Sequence, residues 1–271
     1  MTTSTTITEQ VALVTGIGTE AADAVALALA KYGADVVVAY HANERRAAAI
    51  VEAITALGRR CMPVAFDLLH PISIQQMVDQ TVQAFGRLDI LVNGACVSIR
   101  KSLMEITEAD WNQTLDINLK GIFYCSRCAA QAMIAHGTEG RIINISSVGR
   151  ELEVFALDEV RDLANTDNLI LYETSCGGIN ALTKNLAIEL AQHSITVNAI
   201  ALAREDNEQI HDDGVSMGGY LLEWDPSPRN IGHIVAYLTS ARANYITGSI
   251  MLAKVEGLDA VEEILAGNDI P

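Results

Sequence analysis

Val11-Ala-Leu-Val-Thr-Gly16 is the stretch of sequence that decides the fold. A short, continuous apolar run that ends on a glycine is typical of a strand buried on both faces of a parallel sheet. The residues that follow, 21–32, are rich in alanine and leucine and predict a helix. A buried strand, a glycine turn and a helix together predict the first half of a β-α-β unit.

The same alternation continues along the chain and predicts one α/β domain. It is expected to be a Rossmann-like, doubly wound parallel sheet of about seven strands with helices on both faces. We assign residues 1–8 to a disordered N-terminal lead and residues 9–271 to the domain. Further strands are predicted at 35–39, 62–65, 90–92, 141–145, 196–200 and 249–252, and further helices at 43–57, 71–85, 108–135 and 173–192.

Composition limits the kinds of function that the chain can have. The 271 residues are 50% hydrophobic and carry a formal net charge of -16, which disfavours binding to nucleic acid or to an anionic membrane surface. The five cysteines are odd in number and lack the spacing of a disulfide framework, and no run of residues is long and apolar enough to span a bilayer. The sequence therefore predicts a cytoplasmic protein that binds neither nucleic acid nor membrane.

Three later stretches add to the opening strand. They are Leu88-Asp-Ile-Leu-Val-Asn93, Gly140-Arg-Ile-Ile-Asn-Ile-Ser-Ser147 and Tyr172-Glu-Thr-Ser-Cys176. With these motifs the whole chain resembles the short-chain dehydrogenase/reductase family. The resemblance implies an NAD(P) site and a catalytic set of asparagine, serine, tyrosine and lysine, in which the lysine lowers the tyrosine pKa.

Carrying that set over places Asn118, Ser147 and Tyr172 around a substrate oxygen. Cys176 stands where the family has its lysine, so the phenol of Tyr172 is expected to keep a pKa near about 10 and to act as a hydrogen-bond donor or acid. We interpret Cys176 and Cys96 as small space-filling residues, with a nucleophilic role as the alternative for each. Two further cysteines at CxxC spacing, Cys125 and Cys128, are weak evidence for a metal, and no metal site is predicted.

The resemblance also implies three residues that would contact a dinucleotide: Gly16, Asp67 and Asn93. Gly18 is a fourth candidate, from an alternative dinucleotide fingerprint of another spacing, Gly16-x-Gly18-x-x-Ala21. Glu20 and Ala22, however, stand at the second and third glycine positions of the family's first turn. Glu20 adds a carboxylate where phosphates would lie, and it would itself be stabilised at a helix start. The sequence therefore predicts that no cofactor is bound, with NAD(P) as the alternative.

Two segments lie where open α/β sheets place their ligands, and each is open to two interpretations. Residues 149–171 are longer than is usual in the family and are either a helix over the site or a tolerated surface insertion. Residues 204–230 are acidic and contain several glycines, so they form either a substrate lid or a long loop.

These observations lead to three hypotheses for the function. The first is a non-redox enzyme, of the cyclase, dehydratase, isomerase or lyase type, that acts on a small carbonyl compound through Ser147 and Tyr172. The second is an NAD(P)H-dependent, ketoreductase-like oxidoreductase, and the third is a catalytically silent subunit that pairs with an active paralogue. We expect a small-molecule substrate and a homodimer, a homotetramer or a hetero-oligomer with such a paralogue.

Overall fold

We describe the protein from a computed structural model, which covers residues 7–147, 169–204 and 228–255. The seven strands all pair in parallel, in the order β3-β2-β1-β4-β5-β6-β7. They are β1 (Val11–Thr15), β2 (Asp35–Tyr40), β3 (Cys61–Ala65), β4 (Ile90–Asn93), β5 (Arg141–Ser147), β6 (Thr196–Arg204) and β7 (Ile250–Val255). The predicted fold class is confirmed.

Seven α-helices belong to the described residues. They are α1 (Glu20–Lys31), α2 (Glu44–Ala56), α3 (Pro71–Phe85), α4 (Glu108–Leu115), α5 (Ile122–His136), α6 (Ile170–Leu190) and α7 (Pro228–Thr239). A π-helical turn, Asp116–Gly121, joins α4 to α5 within what the sequence predicted as one helix over 108–135. The sequence analysis did not predict α7, which packs against α1.

Successive residues of β1 face opposite sides of the sheet, which explains its uninterrupted apolar run. Ala12 and Val14 belong to one buried cluster, while Leu13 belongs to the other. The first cluster includes residues of α1, α2 and α7, and the second includes residues of α3, α5 and α6. Helices therefore cover both faces of the sheet, and its inner strands are hidden from water on each side.

The start of the folded domain lies earlier than the sequence predicted. Ile7 is only 2% exposed and packs in the first cluster, and its backbone N–H donates to the carbonyl of Tyr32 over 3.0 Å. The proposed disordered lead of residues 1–8 is therefore wrong at its C-terminal end. An isoleucine that follows a threonine-rich stretch gains enough from burial to join the core.

Gly232 allows α7 to lie close against α1, and it provides a test of this packing. A Cβ at position 232 would stand 2.4 Å from Ala28 Cβ and 3.1 Å from Ala24 O. We expect Gly232→Ala to lower the free energy of unfolding by about 1–3 kcal/mol, because neither neighbour can move away easily. Denaturant unfolding measures this, with Gly177→Ala as the control.

Gly177 also lies in a helix, but a Cβ there would meet nothing within 4 Å. The control should therefore keep or raise stability, by about 0.5–1 kcal/mol, since alanine favours helix over glycine. Equal effects of the two substitutions would contradict the close approach of α7 to α1.

Candidate active site

The candidate site lies at the carboxyl edge of the sheet, where β1 and β4 are neighbours but their chain connections run in opposite directions. Gly16, directly after β1, has φ +86°, and a Cβ on it would stand 2.4 Å from the backbone of Gly94 and Ala95. A Cβ on Gly94 would in turn stand 2.8 Å from the carbonyl oxygen of Thr15. The two turns therefore fit together only as bare backbone. Open α/β sheets bind their ligands in the crevice at such a switch point.

The turn after β1 leads directly into the N-terminus of α1. Thr19 caps this helix, because its Oγ1 accepts a hydrogen bond from the Ala22 N–H over 3.3 Å. Glu20 is the first residue of the helix, so the structure places its carboxylate beside the positive end of the helix dipole. Gly18 has φ +107°, and its N–H donates to Oδ1 of Asp23 over 2.9 Å. The turn is thus held in shape by Asp23, which the sequence analysis did not single out.

Tyr172 and Ser147 come together at this edge of the sheet. Ser147 ends β5, Tyr172 lies in the first turn of α6, and the two hydroxyl groups lie close enough for Ser147 to lower the pKa of Tyr172. The Oγ of Ser147 also donates to the carbonyl of Leu202 at 3.0 Å, which ties it to β6. The arrangement places two hydroxyl groups side by side, where they can both contact one substrate oxygen.

The surroundings of Tyr172 keep its hydroxyl protonated. Burial raises the pKa of this hydroxyl well above its ordinary value, and the thiols of Cys96 and Cys176 add to the rise. The nearby hydroxyl group of Ser147 acts in the opposite direction and lowers the pKa, but by less. At neutral pH the group is therefore a neutral proton donor.

Cys176 lies directly beside Tyr172, one helical turn further along α6. It is 2% exposed, and its thiol lies close to the side chains of Tyr172 and Ser175 and to the backbone of Ser147. Burial raises the pKa of this thiol, so it stays uncharged. Cys96, by contrast, lies on the exposed segment after β4 and carries a free thiol.

Asn118 lies under the site rather than in it. Its Nδ2 donates to the carbonyl of Val97 over 2.8 Å and to Oγ of Ser175 over 3.0 Å, and its Oδ1 accepts from the N–H of Val97 over 2.8 Å. The residue is fully buried within the π-helical turn, a feature that is frequent at functional sites. In this structure its amide is committed to these bonds, which join the segment after β4 to α6.

Ser175 is a residue of the site's framework that the sequence analysis did not name. Its side chain is fully buried, it accepts the bond from Asn118, and it donates to the carbonyl of Tyr172 over 2.6 Å. It thereby joins the segment after β4 to the helical turn that carries Tyr172. Its place next to Cys176 in the quoted motif was the signal that could have drawn attention to it.

Two of the four predicted cofactor contacts, Asp67 and Asn93, are engaged within the protein. The carboxylate of Asp67 accepts a hydrogen bond from the N–H of Leu69 and pairs with His70, both at a distance of 2.8 Å. The bond from Leu69 lowers the pKa of Asp67. Asn93 is 1% exposed and donates to Oδ1 of Asn144 over 2.8 Å. Gly16 and Gly18, in contrast, border the switch-point crevice.

Comparison with known proteins identifies the family. The family model described as short chain dehydrogenase matches residues 10–206. This chain belongs to the short-chain dehydrogenase family. It is 32% identical over 247 residues to 2-dehydro-3-deoxy-D-gluconate 5-dehydrogenase of Escherichia coli, covering 88% of this chain and 91% of the relative. It is also 32% identical over 247 residues to a 3-oxoacyl-[acyl-carrier-protein] reductase of Synechocystis, covering 90% of this chain and 95% of the relative.

Solved structures of the family agree with this assignment. A short chain dehydrogenase from Burkholderia cenocepacia, solved in complex with NADP, superimposes with a TM-score of 0.75 at 28% identity. The match covers 92% of this chain and 97% of that structure. A dehydrogenase/reductase from Sinorhizobium meliloti gives a TM-score of 0.76 at 30% identity, with 93% of this chain and 96% of that one covered.

These relatives overturn two predictions made from the sequence. The non-redox hypothesis is wrong, because the relatives are named as dehydrogenases and reductases. The prediction of no cofactor is also wrong, since those names and the NADP complex point to NAD(P). The physical reason is that the pyrophosphate of a dinucleotide is bound largely by backbone N–H groups at a glycine turn and at a helix N-terminus. This chain has a glycine turn, with Gly16 at φ +86°, that leads into the N-terminus of α1, although Glu20 and Ala22 stand where the family has glycines.

The described residues show two further properties of the chain. No helix in the ranges 7–147, 169–204 and 228–255 is long and apolar enough to cross a membrane. Within the same ranges no group of three histidine, cysteine or acidic side chains is arranged to hold a metal ion. Most of the predicted segments 149–171 and 204–230 lies outside the described residues.

Proposed function

We propose that this protein is an NAD(P)-dependent oxidoreductase that interconverts a carbonyl and an alcohol in a small metabolite. The observation that carries the proposal is the placement of Ser147, at the end of β5, and Tyr172, at the start of α6, with their hydroxyl groups close together beside the switch-point crevice. The relatives support the redox class of the reaction, and the NADP complex of one of them supports the cofactor.

The crevice has features that suit a dinucleotide. Gly16 and Gly94 leave no room for a side chain, so only backbone borders this part of the crevice, and the N-terminus of α1 offers a positive potential to a pyrophosphate. Gly16, Gly18 and the first turn of α1 are the groups that would hold the cofactor. When bound, NAD(P)H supplies the hydride.

Within this function the chain's own residues handle the substrate oxygen and its proton. Ser147 Oγ orients the oxygen, and Tyr172 Oη holds the proton that the oxygen receives when a carbonyl is reduced. Asn118 and Ser175 fix the backbone that carries the tyrosine. Cys176 stands where the family resemblance expects a lysine, so Tyr172 has no ammonium beside it at this position and acts as a neutral acid.

The experiment that tests the proposal is a titration of the purified chain with NADH, NADPH and their oxidised forms, followed by a panel of small ketones, keto acids and β-ketoacyl thioesters. Binding of at least one cofactor, together with substrate-dependent oxidation of the reduced form, is expected. Failure to bind all four forms would contradict the proposal.

We also propose that the protein forms a dimer through α4, α5 and α6. A groove of about 460 Å³ runs between these helices and is lined by the apolar side chains of Leu115, Leu119, Phe123 and Leu182. The side chain of Phe123 is 39% exposed, which leaves a large apolar surface of α5 open to solvent. Two copies of such a face can cover one another about a two-fold axis.

We also propose a cytoplasmic location, which the five free thiols support.

Phe123→Asp tests the dimer. A carboxylate in a buried, apolar contact is costly to desolvate, so we expect the mass measured by analytical ultracentrifugation to fall to that of one chain. Ile72→Asp is the control, because Ile72 is 67% exposed on α3, away from the groove, and its replacement should leave the mass unchanged. A dimer that survives Phe123→Asp would contradict this interface.

A further inference from the structure

Arg46 is held against the turn after β1 by a buried carboxylate. It lies in the first turn of α2, and its Nε donates to Oδ2 of Asp23 over 2.6 Å. The Asp23 side chain is 1% exposed, and its other oxygen accepts the N–H of Gly18 over 2.9 Å. One carboxylate thus fixes both the glycine turn and the guanidinium group.

The guanidinium keeps donors to spare. Asp23 occupies only its Nε–H, and in the described part of the chain no protein group accepts from its two terminal nitrogens. The side chain is 22% exposed, so solvent reaches part of it. A planar guanidinium with free terminal N–H groups is well suited to the oxygens of a phosphate.

The segment between β2 and α2 contains no carboxylate. β2 ends at Tyr40, and His41, Ala42 and Asn43 follow before α2 begins. Asn43 lies against the glycine turn, since a Cβ on Gly18 would stand 3.1 Å from its Nδ2. In dinucleotide-binding folds an acidic residue in this region binds the ribose 2'-hydroxyl of NAD, whereas an arginine accommodates the 2'-phosphate of NADP. Here no carboxylate lies between β2 and α2. Glu44 and Arg46 both lie in the first turn of α2, and Arg46 is the one that Asp23 holds against the glycine turn.

We propose that Arg46, positioned by Asp23, makes this site select the cofactor that carries a 2'-phosphate, so that the protein prefers NADP(H) over NAD(H). The inference rests on the proposed function and adds the choice between the two cofactors. Asp23 is a positioning residue in this scheme, and Arg46 is the residue that contacts the phosphate.

The test measures binding rather than turnover. The full-length protein is titrated calorimetrically with NADPH, NADH and two half-cofactor probes, adenosine 2',5'-bisphosphate and adenosine 5'-monophosphate. We expect NADPH and the bisphosphate to bind about tenfold or more tightly than their partners that lack the 2'-phosphate. Arg46→Gln should abolish most of that ratio by weakening the phosphorylated ligands, while the affinities for NADH and adenosine 5'-monophosphate change by less than about twofold.

Arg45→Gln is the matched control, because it removes the same charge from a neighbouring, exposed position of α2 and should leave the ratio intact. Since Arg46→Gln leaves the buried Asp23 without its partner, the double variant Asp23→Asn with Arg46→Gln is measured beside it and should show the same loss of ratio. Equal binding of NADPH and NADH by the unaltered protein would overturn the preference alone. Equal weakening of all ligands by Arg46→Gln would show that the ion pair only supports the fold. Binding of neither cofactor would overturn the proposed function itself.

Discussion

Tyr172→Phe is expected to lower kcat/KM for carbonyl reduction by about 100- to 10,000-fold, the range that a positioned general acid contributes. The substitution removes one oxygen from a side chain whose hydroxyl contacts Ser147 and Cys176. The ring remains, so the affinity for NADPH should change little. Steady-state kinetics with the best substrate of the panel, together with a cofactor titration, measures both effects.

Tyr237→Phe is the control for this prediction. Tyr237 is 40% exposed on α7, a helix that packs on α1 rather than beside Ser147, and loss of its hydroxyl should leave kcat/KM unchanged. A Tyr172→Phe protein with undiminished turnover would show that the proton reaches the substrate oxygen by another route. The assignment of Tyr172 as the acid would then have to be given up.

The sheet could be predicted from the sequence because buried parallel strands leave a strong local signal. The run at 11–15 and the later strands were found to within a few residues of their observed ends. Helix α7 was missed although Ile231, Val235 and Leu238 follow the spacing of a helical face. The first residues of α7, 228–230, fall within the stretch 204–230, which the sequence predicts to be a lid or a long loop.

The site was harder to predict, because its function depends on contacts between residues far apart in the chain. Asp23 and Arg46 are 23 positions apart in the sequence, and Asn118 and Ser175 are 57 positions apart. No local motif therefore predicts either contact. The error about the cofactor had a different origin. The prediction of no cofactor depended on the side chains of Glu20 and Ala22. The geometry that suits a dinucleotide is instead set by the backbone at Gly16 and by the start of α1.

The buried surroundings of Tyr172, which include Cys176, should determine how the reaction depends on pH. Burial and the two nearby thiols raise the pKa of Tyr172, so its proton is present at every pH below that raised value. Carbonyl reduction should therefore show no loss of rate from Tyr172 between about pH 6 and pH 10, the upper bound being the pKa of an unperturbed tyrosine. Alcohol oxidation, which needs the phenolate as base, should be slow over the same range and should rise only toward the alkaline end.

Cys176→Lys should change this behaviour, because an ammonium group one helical turn from Tyr172 favours the phenolate and lowers the tyrosine pKa. We expect alcohol oxidation at neutral pH to become about tenfold or more faster, and the pH at which its rate levels off to move downward. Cys176→Ser, which keeps the size and the charge, should retain the original profile, and thermal unfolding of both variants identifies any loss of fold. If Cys176→Lys folds and its pH profile is unchanged, the thiol does not control the ionisation of Tyr172, and another group must set its pKa.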